Sequence, residues 1–313
     1  MTEEPKSLPR YMGFPSFFRL PVTEELQGDI AILGVPYDGG VTNRPGARHG
    51  PREVRNQSSL IRRYSEVDKL SPFETATVYD AGDIEIANPF SLQEAHADIE
   101  AGFARYHRQQ IATLAVGGDH SISLPILRAA AAKRGPLGLI HIDAHCDTGD
   151  DYLGSRFHHG SPFRRAAEEN LIDPKRTIQI GIRGTLSAPD QWEFSYSSGM
   201  RVVMIEDVYQ RGISAIAEEA KAIVGNEECY LTFDIDSVDP AFAPGTGTPE
   251  SGGLTSLEAL MLLRGLRGVN VISADVVEVS PPFDFAGNTS HLAANVMFEL
   301  SLIHISEPTR LAT

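Results

Sequence analysis

Leu137-Gly138-Leu139-Ile140-His141-Ile142-Asp143-Ala144-His145-Cys146-Asp147 decides how this chain is read. Its first six residues form an apolar run too short for a helix, and the last five turn abruptly to acids and an imidazole. A run that is apolar at nearly every position fits a parallel strand covered on both faces. In extended chain Asp143, His145 and Asp147 project to one side, while Ala144 and Cys146 point away. Two carboxylates and an imidazole converging there suit a hard-to-borderline divalent cation. Without a cation the acids must cap a helix or pair with arginines, because crowding unpaired buried carboxylates is costly.

Working outward, seven further runs read as strands: Asp29–Val35, Thr77–Tyr79, Ile111–Val116, Thr177–Ile182, Val202–Ile205, Tyr230–Ile235 and Val271–Val277. Helical stretches lie between them at Pro51–Arg63, Leu92–Arg108, Leu124–Lys133, Ile213–Val224, Leu257–Leu266 and Leu292–Leu302. Ser91 with Glu94, and Thr255 with Glu258, have the spacing of capping boxes. The alternation predicts one α/β domain, residues 29–302, with an eight-stranded, mainly parallel sheet between two helical layers. Residues 1–28, with Pro5, Pro9, Pro15 and Pro21, read as an arm on the surface. Residues 303–313 read as a foreign or disordered tail.

A length of 313 residues can bury a large core without staples. Lys and Arg number 27 against 42 Asp and Glu, a net charge of −15, which argues against nucleic-acid binding. Only two cysteines occur, Cys146 and Cys229, as expected of a chain in a reducing, cytoplasmic compartment. No apolar run approaches the length needed to span a membrane.

Two other strand ends repeat the acidic pattern. Asp234-Ile235-Asp236 places two carboxylates on one side of an extended chain, and a cation would offset their desolvation. Asp239, followed by Pro240, reads as turn chemistry. Gly117-Gly118-Asp119-His120-Ser121 closes another strand, where glycines allow a sharp turn and close approach. In open α/β sheets ligands gather at the carboxyl ends of strands. Asp143, Asp147, Asp234 and Asp236 supply four negative charges, matching two divalent cations, with His120 and His145 as neutral ligands. Six ligands serve two ions only if carboxylates bridge, which sets the ions about 3.5–4 Å apart, as in two-metal hydrolysis.

The segments 117–121, 143–147 and 233–240 resemble the three signature motifs of the arginase/agmatinase (ureohydrolase) family. Arg44–Arg48, His159–Phe163, Pro244–Pro249 and Glu278–Pro282 extend the resemblance in matching order, and its branch looks agmatinase-like. The resemblance implies an arginase-like fold, a trimer or hexamer, and a pair of divalent ions, Mn²⁺ first and Ni²⁺ second. One ion would take His120, Asp143, Asp147 and Asp234; the other would take Asp143, His145, Asp234 and Asp236. It implies that His159 shuttles a proton, with His158 as the rival, and that Glu278 receives the guanidinium. Chemically, guanidine hydrolysis needs an activated water, a paired anchor for the planar fork, and a proton for the leaving amine, a task for Asp147 and His159.

The products would be urea and an amine. Asp150 and Asp151, just past the metal motif, together with the negative net charge, tip the reading to an ammonium tail, agmatine giving putrescine and urea, with a guanidino acid as the alternative. Arg156, or Arg44 and Arg48, would instead favour a carboxylate tail, as in 4-guanidinobutyrate, 3-guanidinopropionate or a proclavaminate-type substrate. Asparagine, which touches substrate just past this motif in arginase, is absent: Thr148-Gly149-Asp150-Asp151 stands there. Phosphate-ester hydrolysis would want basic residues in the metal-proximal segments, and a dinucleotide enzyme a glycine fingerprint after a strand; neither pattern occurs.

Overall fold

Each strand of the sheet divides its side chains between two apolar layers, and this explains the continuous runs. On β1 (Ile30–Val35), Ile30 and Ile32 enter one layer while Ala31, Leu33 and Val35 enter the other. The computed structural model describes residues 9–305. Its remaining strands are β2 (Val78–Asp83), β3 (Ala112–Gly117), β4 (Leu137–Ile142), β5 (Ile172–Ile182), β6 (Arg201–Met204), β7 (Cys229–Asp234) and β8 (Val271–Val277). They form one eight-stranded sheet in the order β2-β1-β3-β8-β7-β4-β5-β6. Every pairing is parallel, so the expected α/β sandwich is present with no antiparallel strand in it.

The order positions the site. From β3 the chain crosses to β4, and β7 and β8 later fill the gap between them. Four adjacent central strands, β3, β8, β7 and β4, therefore end side by side, where a crevice opens outside the sheet.

Several boundaries move. The helix expected from Pro51 runs Gly50–Ser58, and Ile205, read as a strand end, begins a helix, Ile205–Arg211. Pro162–Glu168 is a short helix with proline in its first turn, where the missing N–H costs nothing. The segment before β1 is not merely laid on the surface. Phe17 and Phe18 are buried, and their N–H groups donate to Asp80 Oδ2 and Ser58 Oγ, each at 2.9 Å. The prolines signal the irregular path, but the aromatic pair fixes it to the core. At the other end, the helix Asn288–Ile305 runs past the expected stop at 302, and Ile303 to Ile305 are buried. Residues 1–8 and 306–313, the latter most of the expected tail, lie outside the described residues.

The two capping boxes differ. Thr255 Oγ1 accepts the Glu258 N–H at 3.2 Å, and Glu258 Oε2 accepts the Thr255 N–H at 2.8 Å, so that box is complete. Ser91 Oγ accepts the Glu94 N–H at 3.3 Å, but Glu94 turns its carboxylate to Asn88. Thr255→Ala should therefore cost about 1 kcal/mol, and Ser91→Ala less. Denaturant unfolding of the two variants checks the order.

Candidate metal centre

The residues proposed from the strand ends do converge, but not by simple alternation. Past β4 the chain bends at Asp143–His145, and Asp147 has φ 49°. Past β7, Ile235–Ser237 is a 3₁₀ turn whose cap is Asp234, accepting the Asp236 N–H at 2.8 Å. Tight turns replace the extended geometry because Asp143 and Asp234 each accept the backbone N–H two residues further on. Cys146 does point away, packing on Ile182 and Val202. Asp239 is a turn residue, accepting N–H groups of Ala241 at 2.8 Å and Gly252 at 2.7 Å.

His120 opens the 3₁₀ turn after β3, and its Nδ1 meets Asp143 Oδ2 at 3.2 Å, Asp147 Oδ2 at 3.0 Å and Asp234 Oδ2 at 3.1 Å. His145 Nδ1 meets Asp143 Oδ1 at 3.4 Å and Asp236 Oδ2 at 3.1 Å. Asp143 thus sends one oxygen to each imidazole. His120, Asp143, Asp234 and Asp236 are buried. Burial, then the charges of Asp236 and Asp143, pushes the Asp234 carboxyl well above its ordinary range. His120 Nδ1 is buried with no hydrogen-bond partner among the described residues, although three carboxylates face it. An unpartnered ring nitrogen amid crowded carboxylates fits a divalent cation, and the oxygen-and-imidazole donor set fits a hard-to-borderline one.

Residues beneath the acids hold them in place. His120 Nε2 meets Thr232 Oγ1 at 2.8 Å, His141 Nε2 meets Asp143 Oδ2 at 2.6 Å, and Gln179 Nε2 meets His141 Nδ1 at 3.0 Å. Thr248 Oγ1 donates to Asp236 Oδ2 at 3.2 Å. Such partners orient metal ligands. Sequence reasoning assigned no role to His141 or Thr232. The signal was available: each stands two residues before a site aspartate, on the same strand face. Gln179 and Thr248 carried no such signal.

Glu278 follows β8 with φ 63°, one of the strained backbone positions that collect at functional sites. Its Oε1 accepts the His120 N–H at 2.9 Å and meets His159 Nδ1 at 3.0 Å. Its Oε2 is buried without a partner among the described residues. The Gly118 carbonyl accepts the Glu278 N–H at 2.8 Å, and glycine is needed there because a Cβ would lie 1.8 Å from the Tyr37 carbonyl oxygen. His159 is buried on Glu278, whereas the rival His158 turns aside and accepts the Gly160 N–H at 3.2 Å. A cavity of about 770 Å³ opens over Asp147, His159, Asp234, Asp236 and Glu278, walled by Trp192 and Phe194.

The acids offered for substrate selection have other partners. Asp150 is paired by Arg156 at 3.5 Å, Arg164 at 2.9 Å and Arg165 at 2.8 Å. Asp151 Oδ1 accepts the Gly154 N–H at 2.9 Å. Arg48 pairs with Asp38, and Arg44 stacks on Phe283.

Residues 28–303 match the Arginase family. A guanidinopropionase of Pseudomonas aeruginosa is 50% identical over 94% of this chain and 92% of its own. A mitochondrial agmatinase of Gallus gallus is 44% identical over 93% of this chain and 86% of its own. Among solved structures, proclavaminate amidinohydrolase from Streptomyces clavuligerus superposes with a TM-score of 0.92 at 41% identity, covering 96% of this chain and 99% of that one. The chain belongs to the Arginase family. Within it, the chain is an agmatinase-like hydrolase of guanidino compounds, with a His/Asp cluster able to bind metal. No helix among the described residues is long and apolar enough to cross a membrane.

Proposed function

We propose that the chain hydrolyses a carboxylate-tailed guanidino compound to urea and an amine, using two Mn²⁺ ions. His120, Asp143, Asp147 and Asp234 would hold one ion; Asp143, His145, Asp234 and Asp236 would hold the other. The observation that carries the hydrolytic reading is the split of buried Asp143 between two imidazoles, one of which, His145, lines the cavity together with Glu278. Bound ions supply a water acidified to near neutrality. The protein's own groups do the rest. Glu278 Oε2, buried and unpartnered, suits one N–H of a planar guanidinium. Trp192 and Phe194 shield the chain between the two ends. His159 and Asp147 stand ready to pass a proton to the departing nitrogen.

A charge cluster beside the cavity supports the carboxylate tail. Arg156, Arg164 and Arg165 face Asp150 and Glu168, so three positive charges meet two negative ones, leaving +1. Arg164 also lines the cavity. The argument for agmatine from Asp150 weakens accordingly, since three arginines already neutralise that carboxylate. Agmatine stays as the second reading because Asp151, Asp190 and Glu193 line the same cavity.

The test is kcat/KM for 3-guanidinopropionate, 4-guanidinobutyrate and agmatine, measured by urea release. The carboxylate substrates should lead, and Arg164→Gln should cut that preference about tenfold, the worth of one charged hydrogen bond. A preference for agmatine in the wild type overturns the tail assignment while leaving guanidine hydrolysis intact. Urea from none of the three, in Mn²⁺-loaded protein, overturns the function itself.

A further inference from the structure

His159 and Thr42 line the cavity side by side, and the Thr42 hydroxyl meets the ring. Its Nδ1 is committed to Glu278 Oε1 at 3.0 Å, and a carboxylate can only accept, so Nδ1 carries a proton. Its Nε2 lies 2.9 Å from Thr42 Oγ1 and 3.3 Å from the Thr42 backbone nitrogen. The backbone N–H can only donate, so it serves the neutral ring. The hydroxyl can do both: it donates to the neutral ring and accepts from the imidazolium. The placement is built rather than incidental. Gly40 N–H donates to buried Asp119 Oδ2 at 2.7 Å, and Gly40 carbonyl accepts the His159 N–H at 2.9 Å, which fixes this loop against the histidine. His159 is buried, while Thr42 is exposed and lines the cavity beside Asp147 and Glu278.

We propose that the Thr42 hydroxyl is the proton exit of His159, relaying the ring's Nε2 proton to the departing amine; this rests on the guanidine hydrolysis proposed above. As the bond from the central carbon to the tail nitrogen breaks, its electron pair takes the proton of Thr42 Oγ–H. Thr42 Oγ takes the proton from His159 Nε2 in the same motion. The ring is left neutral, its remaining proton on Nδ1 and donated to Glu278 Oε1. The proton that the attacking water surrenders restores the imidazolium, so each turnover consumes water and nothing else. Thr42 lies 117 positions from His159 in the chain, and no sequence pattern links them.

The experiment compares wild type, Thr42→Val and Thr42→Ser as Mn²⁺-loaded enzymes, reading kcat, KM, bound manganese and the dependence of kcat on deuterium fraction. Thr42→Val keeps the shape and removes the relay. Its kcat should fall about tenfold to a hundredfold, below the full value of a general acid, with KM within about twofold and manganese unchanged. Thr42→Ser should restore most of the rate. The wild type and Thr42→Ser should show a curved deuterium dependence, from two protons in motion, that Thr42→Val loses. A Thr42→Val enzyme as fast as an active wild type overturns the relay alone. So does a loss confined to KM, a loss that follows manganese, or a Thr42→Ser enzyme as impaired as Thr42→Val. No urea from the wild type overturns the relay and the proposed function together.

Discussion

Asp143→Ala should abolish binding of both metal ions and lower kcat by about 10⁴-fold or more, since the lost charge stabilisation is worth several kcal/mol. Both oxygens of this carboxylate are used. Oδ2 faces His120 Nδ1 at 3.2 Å and meets His141 Nε2 at 2.6 Å. Oδ1 faces His145 Nδ1 at 3.4 Å and accepts the His145 N–H at 2.6 Å. Among the described residues no other carboxylate meets both of these imidazoles. Asp236→Ala is the comparison, because Asp236 faces His145 and not His120. It should weaken one ion and leave the other. Elemental analysis after gel filtration, beside urea release, reads both variants. An Asp143→Ala protein that keeps two ions would remove the bridge from the proposal.

His159→Ala should lower kcat by about 10²–10⁴-fold, the range for a general acid–base group, with both ions still bound. His158→Ala should do far less, because His158 makes no contact with Glu278. The pH profile provides a second readout. Burial lowers the His159 value, but the Glu278 carboxylate outweighs it and holds it at about 9. The ordinary value is about 6.5. A raised pKa means the charged ring stabilises the fold fully below about 6.5, and that contribution is lost as pH rises through about 9. A donor imidazolium has the same sign, so kcat should fall on the alkaline side. Cations in the cavity repel the ring's charge, so in the loaded enzyme this limb should lie below 9, while chelation should raise the ring's own pKa. NMR titration of the ring with and without Mn²⁺ measures the shift. A limb that persists unchanged in His159→Ala belongs to another group.

The parallel sheet was legible because its physics is local. A strand buried on both faces is apolar at most positions, as β4 and β8 are, and their polar exceptions, His141, Ser273 and Asp275, are each hydrogen-bonded. The convergence of four aspartates was legible because acids are too costly to cluster at buried strand ends unless something offsets them, and three of the four are buried. The helix start at Thr255 was also legible, since both halves of its capping box lie within one turn. Ser91 shows the limit: the same spacing is present, but Asn88 competes for the Glu94 carboxylate.

By itself, then, the sequence determined the fold class, the acidic strand ends and the kind of chemistry they support. Residue type and spacing carry those properties along a few consecutive positions. Only the tertiary structure decided which charges were already neutralised and which polar atoms were left without partners. Asp150 looked available for an ammonium, yet Arg156, Arg164 and Arg165 close on it, the latter two from a helix the sequence did not mark. Phe17 and Phe18 looked like part of a surface arm, yet the core buries them. Thr42 looked like loop, yet its hydroxyl meets His159 Nε2 where both residues line the cavity. Each of these depends on contacts between residues far apart in the chain. A pairing made by folding leaves no periodic trace in either partner, because it is fixed by where the loops of adjacent parallel strands come together.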